Sequence, residues 1–202
     1  MTTYIPSLTL PAFLFEQPAA AILLPVAAGT AIGFAISPSD TKASYAALRQ
    51  PPLRPPPWVF GPVWTALYGA MGYAAHRAWT IGTASIDPRK VGLAKVHRPR
   101  RCPARRLSAH TAQHGATLYT IQLVLNLAWT PLFFGVKKPV AASADIIALT
   151  GTVGYLAYVW AQVDETAGGL LAPYLAWLAF ANYLCHGCGY LNGWNFDKPK
   201  RG

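Results

Sequence analysis

Five stretches of this chain are each long and apolar enough to cross a bilayer: residues 19–37, 58–80, about 112–134, 140–162 and 170–189. A hydrocarbon core about 30 Å thick takes about 20 helical residues. Lipid offers no partner to a backbone N–H or C=O, so such segments satisfy their own hydrogen bonds as helices. Composition agrees, because only 12% of the residues are charged and 53% are hydrophobic. A soluble domain carries about 25% charged residues, and half that supply does not coat a water-facing surface. The expected fold class is an all-α integral membrane protein, a bundle of five transmembrane helices. It divides into an N-terminal segment (1–18), a membrane domain (19–194) and a basic tail (195–202).

The net charge of +10 raises nucleic acid as a partner, but its distribution excludes one. Eight of the 17 basic residues fall between Arg89 and Arg106, and the others sit mostly at segment ends. That pattern flanks a lipid bilayer and makes no phosphate-tracking groove. Like charges at the density of Arg98-Pro-Arg-Arg-Cys-Pro-Ala-Arg-Arg106 repel, so residues 86–110 read as a solvated basic loop. With five crossings, nine basic residues fall on one side and eight on the other, so loop charge sets no orientation. No Lys or Arg precedes Lys42, which speaks against a secretory n-region or an Arg-rich presequence. The three cysteines supply no disulfide framework.

Polar and aromatic residues then fall into stripes. In the third segment Tyr119, Gln122, Asn126, Trp129 and Phe133 step by three and four, which places all five on one helix face. Two amides, a phenol and an indole fit the bundle interior better than acyl chains. Trp64, Tyr68, Met71 and Ala75 make a similar face in the second segment, and Tyr174, Trp177, Ala181, Cys185 and Cys188 one in the fifth. Two readings stand: rings that pack the bundle, or a chamber for a flat, apolar, multi-ring ligand. Trp58, Trp79 and Trp160 lie near segment ends and read as interfacial belt residues.

Asp145 is the one acidic residue inside a span. It is either an interfacial group near its helix N-terminus or a ligand contact. Cys185-His-Gly-Cys188 has the wrong order for haem attachment, and no second ligand pair completes a zinc site. No Gly-x-Ser-x-Gly, phosphate loop or His-Glu-x-x-His occurs, so no catalytic residue, metal or required cofactor is expected. Gly29 and Gly33, four apart, allow close helix approach.

Tyr45-Ala-Ala-Leu48, Pro51 and the run Pro55-Pro-Pro-Trp-Val-Phe-Gly-Pro-Val-Trp-Thr-Ala-Leu-Tyr-Gly-Ala-Met-Gly-Tyr73 resemble the signature of the translocator protein family, also called the tryptophan-rich sensory protein family. Leu118-Tyr-Thr-Ile-Gln-Leu-Val-Leu-Asn126 with Trp129 and Phe133-Phe-Gly135, and Pro173-Tyr-Leu-Ala-Trp-Leu-Ala-Phe-Ala181, resemble the same family in the same order. The resemblance implies a five-helix bundle, often a homodimer, whose first loop lids a pocket for porphyrin, haem, sterols and synthetic ligands. By position its pocket residues are Tyr45, Trp64, Asn126, Trp129, Trp177 and Ala181, with Asp145 on the fourth helix. It implies a receptor or transporter, with light-dependent porphyrin breakdown or a structural role in a membrane complex as alternatives. The mitochondrial outer membrane is the implied location, with endoplasmic reticulum or Golgi as runner-up. Ser44, Gln50 and Leu53 replace the family's usual lid residues, and Cys185 its usual Asn. His186 and Tyr190 stand where the animal sterol-recognition segment has Tyr and Arg, and the 86–110 loop is longer than usual.

Overall fold

The computed structural model describes residues 4–36, 47–83 and 103–196, and all regular structure among them is helical. A short helix α1 (Ala12–Glu16) leads into α2 (Pro18–Ala35), followed by α3 (Phe60–Thr83), α4 (Pro103–Thr130), α5 (Pro139–Ala161), α6 (Glu165–Gly169) and α7 (Ala172–Leu191). A 3-10 turn at Pro57–Val59 precedes α3, and a π-turn at Pro131–Gly135 prolongs α4. The prolines mostly open helices: Pro18, Pro57 and Pro139 stand at first positions, where a missing N–H costs nothing. Pro103 likewise opens α4, so the helix begins there and residues 103–110 are not the basic loop expected for 86–110. Residues 86–102 of that loop lie outside the described residues.

Four helical segments are long and apolar enough to cross a membrane: Pro18–Ala35, Ser108–Gly135, Pro139–Ala161 and Glu165–Leu191. Of the five expected spans, α3 is the one that falls short. Its 24 residues reach about 36 Å, but it carries Tyr68, Tyr73, His76, Arg77 and Thr80. Tyr73 is exposed, but neighbours within the protein engage Tyr68, His76, Arg77 and Thr80. The Arg77 guanidinium pairs with Asp164, Nε to Oδ2 at 2.6 Å and Nη2 to Oδ1 at 3.2 Å. Asp164 also caps α6 by accepting from the Ala167 N–H at 3.1 Å. Arg77 beside it holds the Asp164 carboxyl below the usual carboxylate range.

The long helices pack in sequence, α2 on α3, α3 on α4, α4 on α5 and α5 on α7. Met71, Ala74, Ala75 and Ala78 of α3 meet a core that includes Leu149, Val153 and Leu156 of α5 and Leu178 of α7. Glycine sets the α2–α3 approach at two points. A Cβ at Gly72 would strike the Ala21 carbonyl, and one at Gly29 would strike the Tyr68 ring. Gly33, the second glycine of the expected pair, faces open space.

Two corrections come from burial. Trp79 and Trp160, read as belt residues, are 7% and 1% exposed. Trp79 is covered by the segment before α2, which stacks Phe15 (2% exposed) on it, and Trp160 by Tyr119 and the close approach of Gly115 on α4. Trp58 is 74% exposed, as a belt residue should be.

Candidate functional site

The stripes face inward and meet. Tyr68 Oη donates to Asn126 Oδ1 at 2.7 Å, and Asn126 Nδ2 donates to Tyr174 Oη at 2.7 Å. Tyr174 Oη donates in turn to Gln122 Oε1 at 3.2 Å, and Gln122 Nε2 approaches Met71 Sδ at 3.7 Å. These groups tie α3, α4 and α7 together in a buried polar belt where each donor has its acceptor. The belt forms because α3 and α7 each present a tyrosine at the depth where α4 presents Gln122 and Asn126, one turn apart. Tyr68 reaches it by lying in the gap that Gly29 leaves.

Trp64 lies one turn before Tyr68, while Trp129 and Trp177 lie three residues beyond Asn126 and Tyr174. Because α3 runs antiparallel to α4 and α7, all three indoles stand on the same side of the belt, a turn away. Trp64 packs against Tyr68 (centroids 5.5 Å apart) and edge-on to Tyr174 (6.1 Å). Trp177 meets Phe60 (5.8 Å) and Phe180 (5.7 Å). Trp129 stacks on Phe133 (5.0 Å), which Phe196 abuts in turn (5.2 Å). The three indoles and Ala181 are half-buried against the core. Asp145 on α5 is half-buried too. Its Oδ2 and the Trp177 N–H are buried without a protein partner.

Of the pocket residues expected from sequence, Trp64, Trp129, Trp177 and Ala181 lie on that same side of the polar belt, half-buried like Asp145. Asn126 belongs to the belt itself, both ends of its amide engaged by tyrosines. Tyr45 lies outside the described residues. Phe60, Tyr68 and Tyr174 were not among the expected site residues. Tyr68 and Tyr174 share the helical spacing of the indoles, and that spacing was the signal for them. Cys185 meets Ser143 on α5 at 3.4 Å, and the Asn192 amide approaches the Cys188 thiol at 3.7 Å.

The mouth is bordered by residues 47–57. Asn192, at the end of α7, clasps Arg49 on both sides of its backbone: Oδ1 accepts from Arg49 N at 3.0 Å, and Nδ2 donates to Arg49 O at 2.9 Å. Tyr183 Oη donates to Pro52 O at 2.9 Å, and Pro51 packs into the space left by Gly187. Leu53, 84% exposed, holds φ 66, a left-handed conformation that a side chain rarely adopts.

Comparison with known proteins finds one family. A model of the TspO/MBR family matches residues 21–191. A translocator protein homolog of Schizosaccharomyces pombe is 40% identical over 172 residues, covering 85% of this chain and 90% of the relative. The translocator protein of Homo sapiens is 37% identical over 140 residues, covering 69% of each chain. The tryptophan-rich protein TspO of Chlorobaculum tepidum is 35% identical over 157 residues, covering 76% of this chain and 84% of the relative.

Proposed function

This chain belongs to the TspO/MBR family of integral membrane proteins, and from that premise we propose that it is a receptor or carrier that binds a tetrapyrrole, porphyrin or haem, between α3, α4 and α7. In this reading α3 crosses the bilayer with the other four long helices, its polar groups turned inward. The observation that carries the reading is three indoles from three helices at one depth above a saturated polar floor. A flat macrocycle takes stacking from such rings. The floor leaves it few polar groups to satisfy, chiefly the Trp177 N–H and the Asp145 carboxylate. The segment held by Asn192 then closes over the ligand. A sterol would use the same apolar walls with fewer stacking contacts. By the same family likeness we place the protein in the mitochondrial outer membrane.

The test is protoporphyrin titration of the purified protein, followed by tryptophan quenching. Each lost aromatic pair removes about 0.5–1.5 kcal/mol beyond its area, so Trp64→Ala with Trp177→Ala weakens binding roughly tenfold or more. Unchanged affinity in the double variant would remove the pocket from consideration.

A further inference from the structure

A second aromatic cluster lies on the far side of the belt. Phe15 stacks on Trp79 with centroids 5.2 Å apart and meets Tyr119 edge-on at 5.8 Å. Tyr119 stacks in turn on Trp160 at 5.7 Å. All four residues are more than nine-tenths buried. Yet the Trp79 Nε1–H and the Tyr119 hydroxyl, carried by the two rings that pack against Phe15, have no hydrogen-bond partner in the protein. Two rings on one phenyl that each keep a buried donor unpaired are an unusual arrangement, since buried polar groups are nearly always paired. A phenyl ring packs against both but offers neither an acceptor in its plane.

The segment that delivers Phe15 is held to α3 and α4 by four hydrogen bonds. Ile5 N donates to Thr117 Oγ1 at 3.3 Å and Leu10 N to Thr120 Oγ1 at 3.0 Å, the Thr9 and Thr117 hydroxyls meet at 2.7 Å, and His76 Nδ1 lies 2.8 Å from Phe15 O. Its only α-helix, α1, has five residues, too few to be stable by itself. Such an element opens locally at a small fraction of the global unfolding free energy.

We propose that the slot filled by Phe15 is a second binding site, for a single-ring aromatic molecule bearing a hydrogen-bond acceptor such as an aryl ketone, and that Phe15 is its displaceable plug. The incoming ring replaces the Phe15 ring against Trp79 and Tyr119. Its carbonyl oxygen accepts from one or both of the donors that Phe15 leaves unmatched. The site is separate from the tetrapyrrole pocket, which lies across the belt and uses other side chains.

The test uses the full chain in lipid nanodiscs with acetophenone as probe and α-methylstyrene, nearly the same shape without the oxygen, as control, at equal membrane concentrations. Acetophenone is expected to raise hydrogen exchange of amides 5–17 several-fold in the unaltered protein, and α-methylstyrene to leave it unchanged. Trp79→Phe with Tyr119→Phe abolishes that difference, whereas Trp64→Ala with Trp177→Ala leaves it intact. Phe15→Leu, which shrinks the plug, tightens acetophenone binding about tenfold. Equal responses to the two probes, exchange unmoved by acetophenone, or a difference that survives loss of both donors would each overturn the proposal.

Discussion

Tyr174 joins both amides of the polar belt, because its hydroxyl accepts from Asn126 and donates to Gln122. Tyr174→Phe keeps the ring against Trp64 but leaves two buried amide groups without partners. A buried group stripped of its partner costs about 1–3 kcal/mol in general, although membrane hydrogen bonds average nearer 0.6. The variant should lose roughly 1–3 kcal/mol in reversible detergent unfolding, and an unchanged midpoint would show that the belt does not tie the helices. Asp164 makes a pH-dependent contribution. Its folded pKa is lowered by Arg77, so the pair's stabilisation is complete above the ordinary carboxylate value near 4 and fades as pH falls through the lowered folded value. Thermal midpoints measured from pH 6 to pH 3 should fall in the parent, and Asp164→Asn should flatten part of that fall. Residues such as Tyr119, Gln122 and Asn126 were legible in the sequence because three-and-four spacing fixes a face whatever the partner is. Trp79 was misread as a belt residue because what buries it, Phe15, arrives from a remote segment with no periodicity of its own, and Trp160 because its cover is the facing α4, through Tyr119 and Gly115.

At the scale of elements, hydropathy located the helices but misjudged their ends. The basic stretch before Ala112 reads as solvated loop, yet Pro103 opens a helix there, and arginine is a good helix former. Hydropathy also ranks α3 lowest, because His76, Arg77 and its phenols count as polar although neighbours satisfy several of them. Helix contacts are the least legible feature, as Gly29 and Gly33 show. Both look equally fit for close approach, but only Gly29 receives a neighbour, the Tyr68 ring. Gly29→Ala should push that ring off Asn126 and cost about 1–3 kcal/mol, as overpacking does, whereas Gly33→Ala should be nearly neutral. Combining Gly29→Ala with Tyr68→Leu supplies the check. If the ring is the obstacle, the double variant loses less than the sum of the singles.

For the whole molecule, the ends of α3 decide the topology. One end leads from residues 47–57, whose Arg49 is clasped by Asn192 at the end of α7. Near the other end Arg77 holds Asp164, between α5 and α6. A 24-residue helix bridging these points runs the full depth of the bundle, about 36 Å, so it crosses whenever its neighbours do. On the proposed reading this gives five crossings, which would put Leu53 and Asn195 on one side of the membrane and Leu8 and Gln162 on the other. Single cysteines at these four exposed positions, in a background lacking Cys102, Cys185 and Cys188, can be labelled in sealed vesicles with an impermeant maleimide. The expected pairs are 53 with 195 and 8 with 162. Were α3 to lie along the surface instead, every later segment would change sides, so 53 would pair with 162 and 8 with 195. That second pattern would also be incompatible with the Arg49–Asn192 clasp and with a pocket shared by α3, α4 and α7.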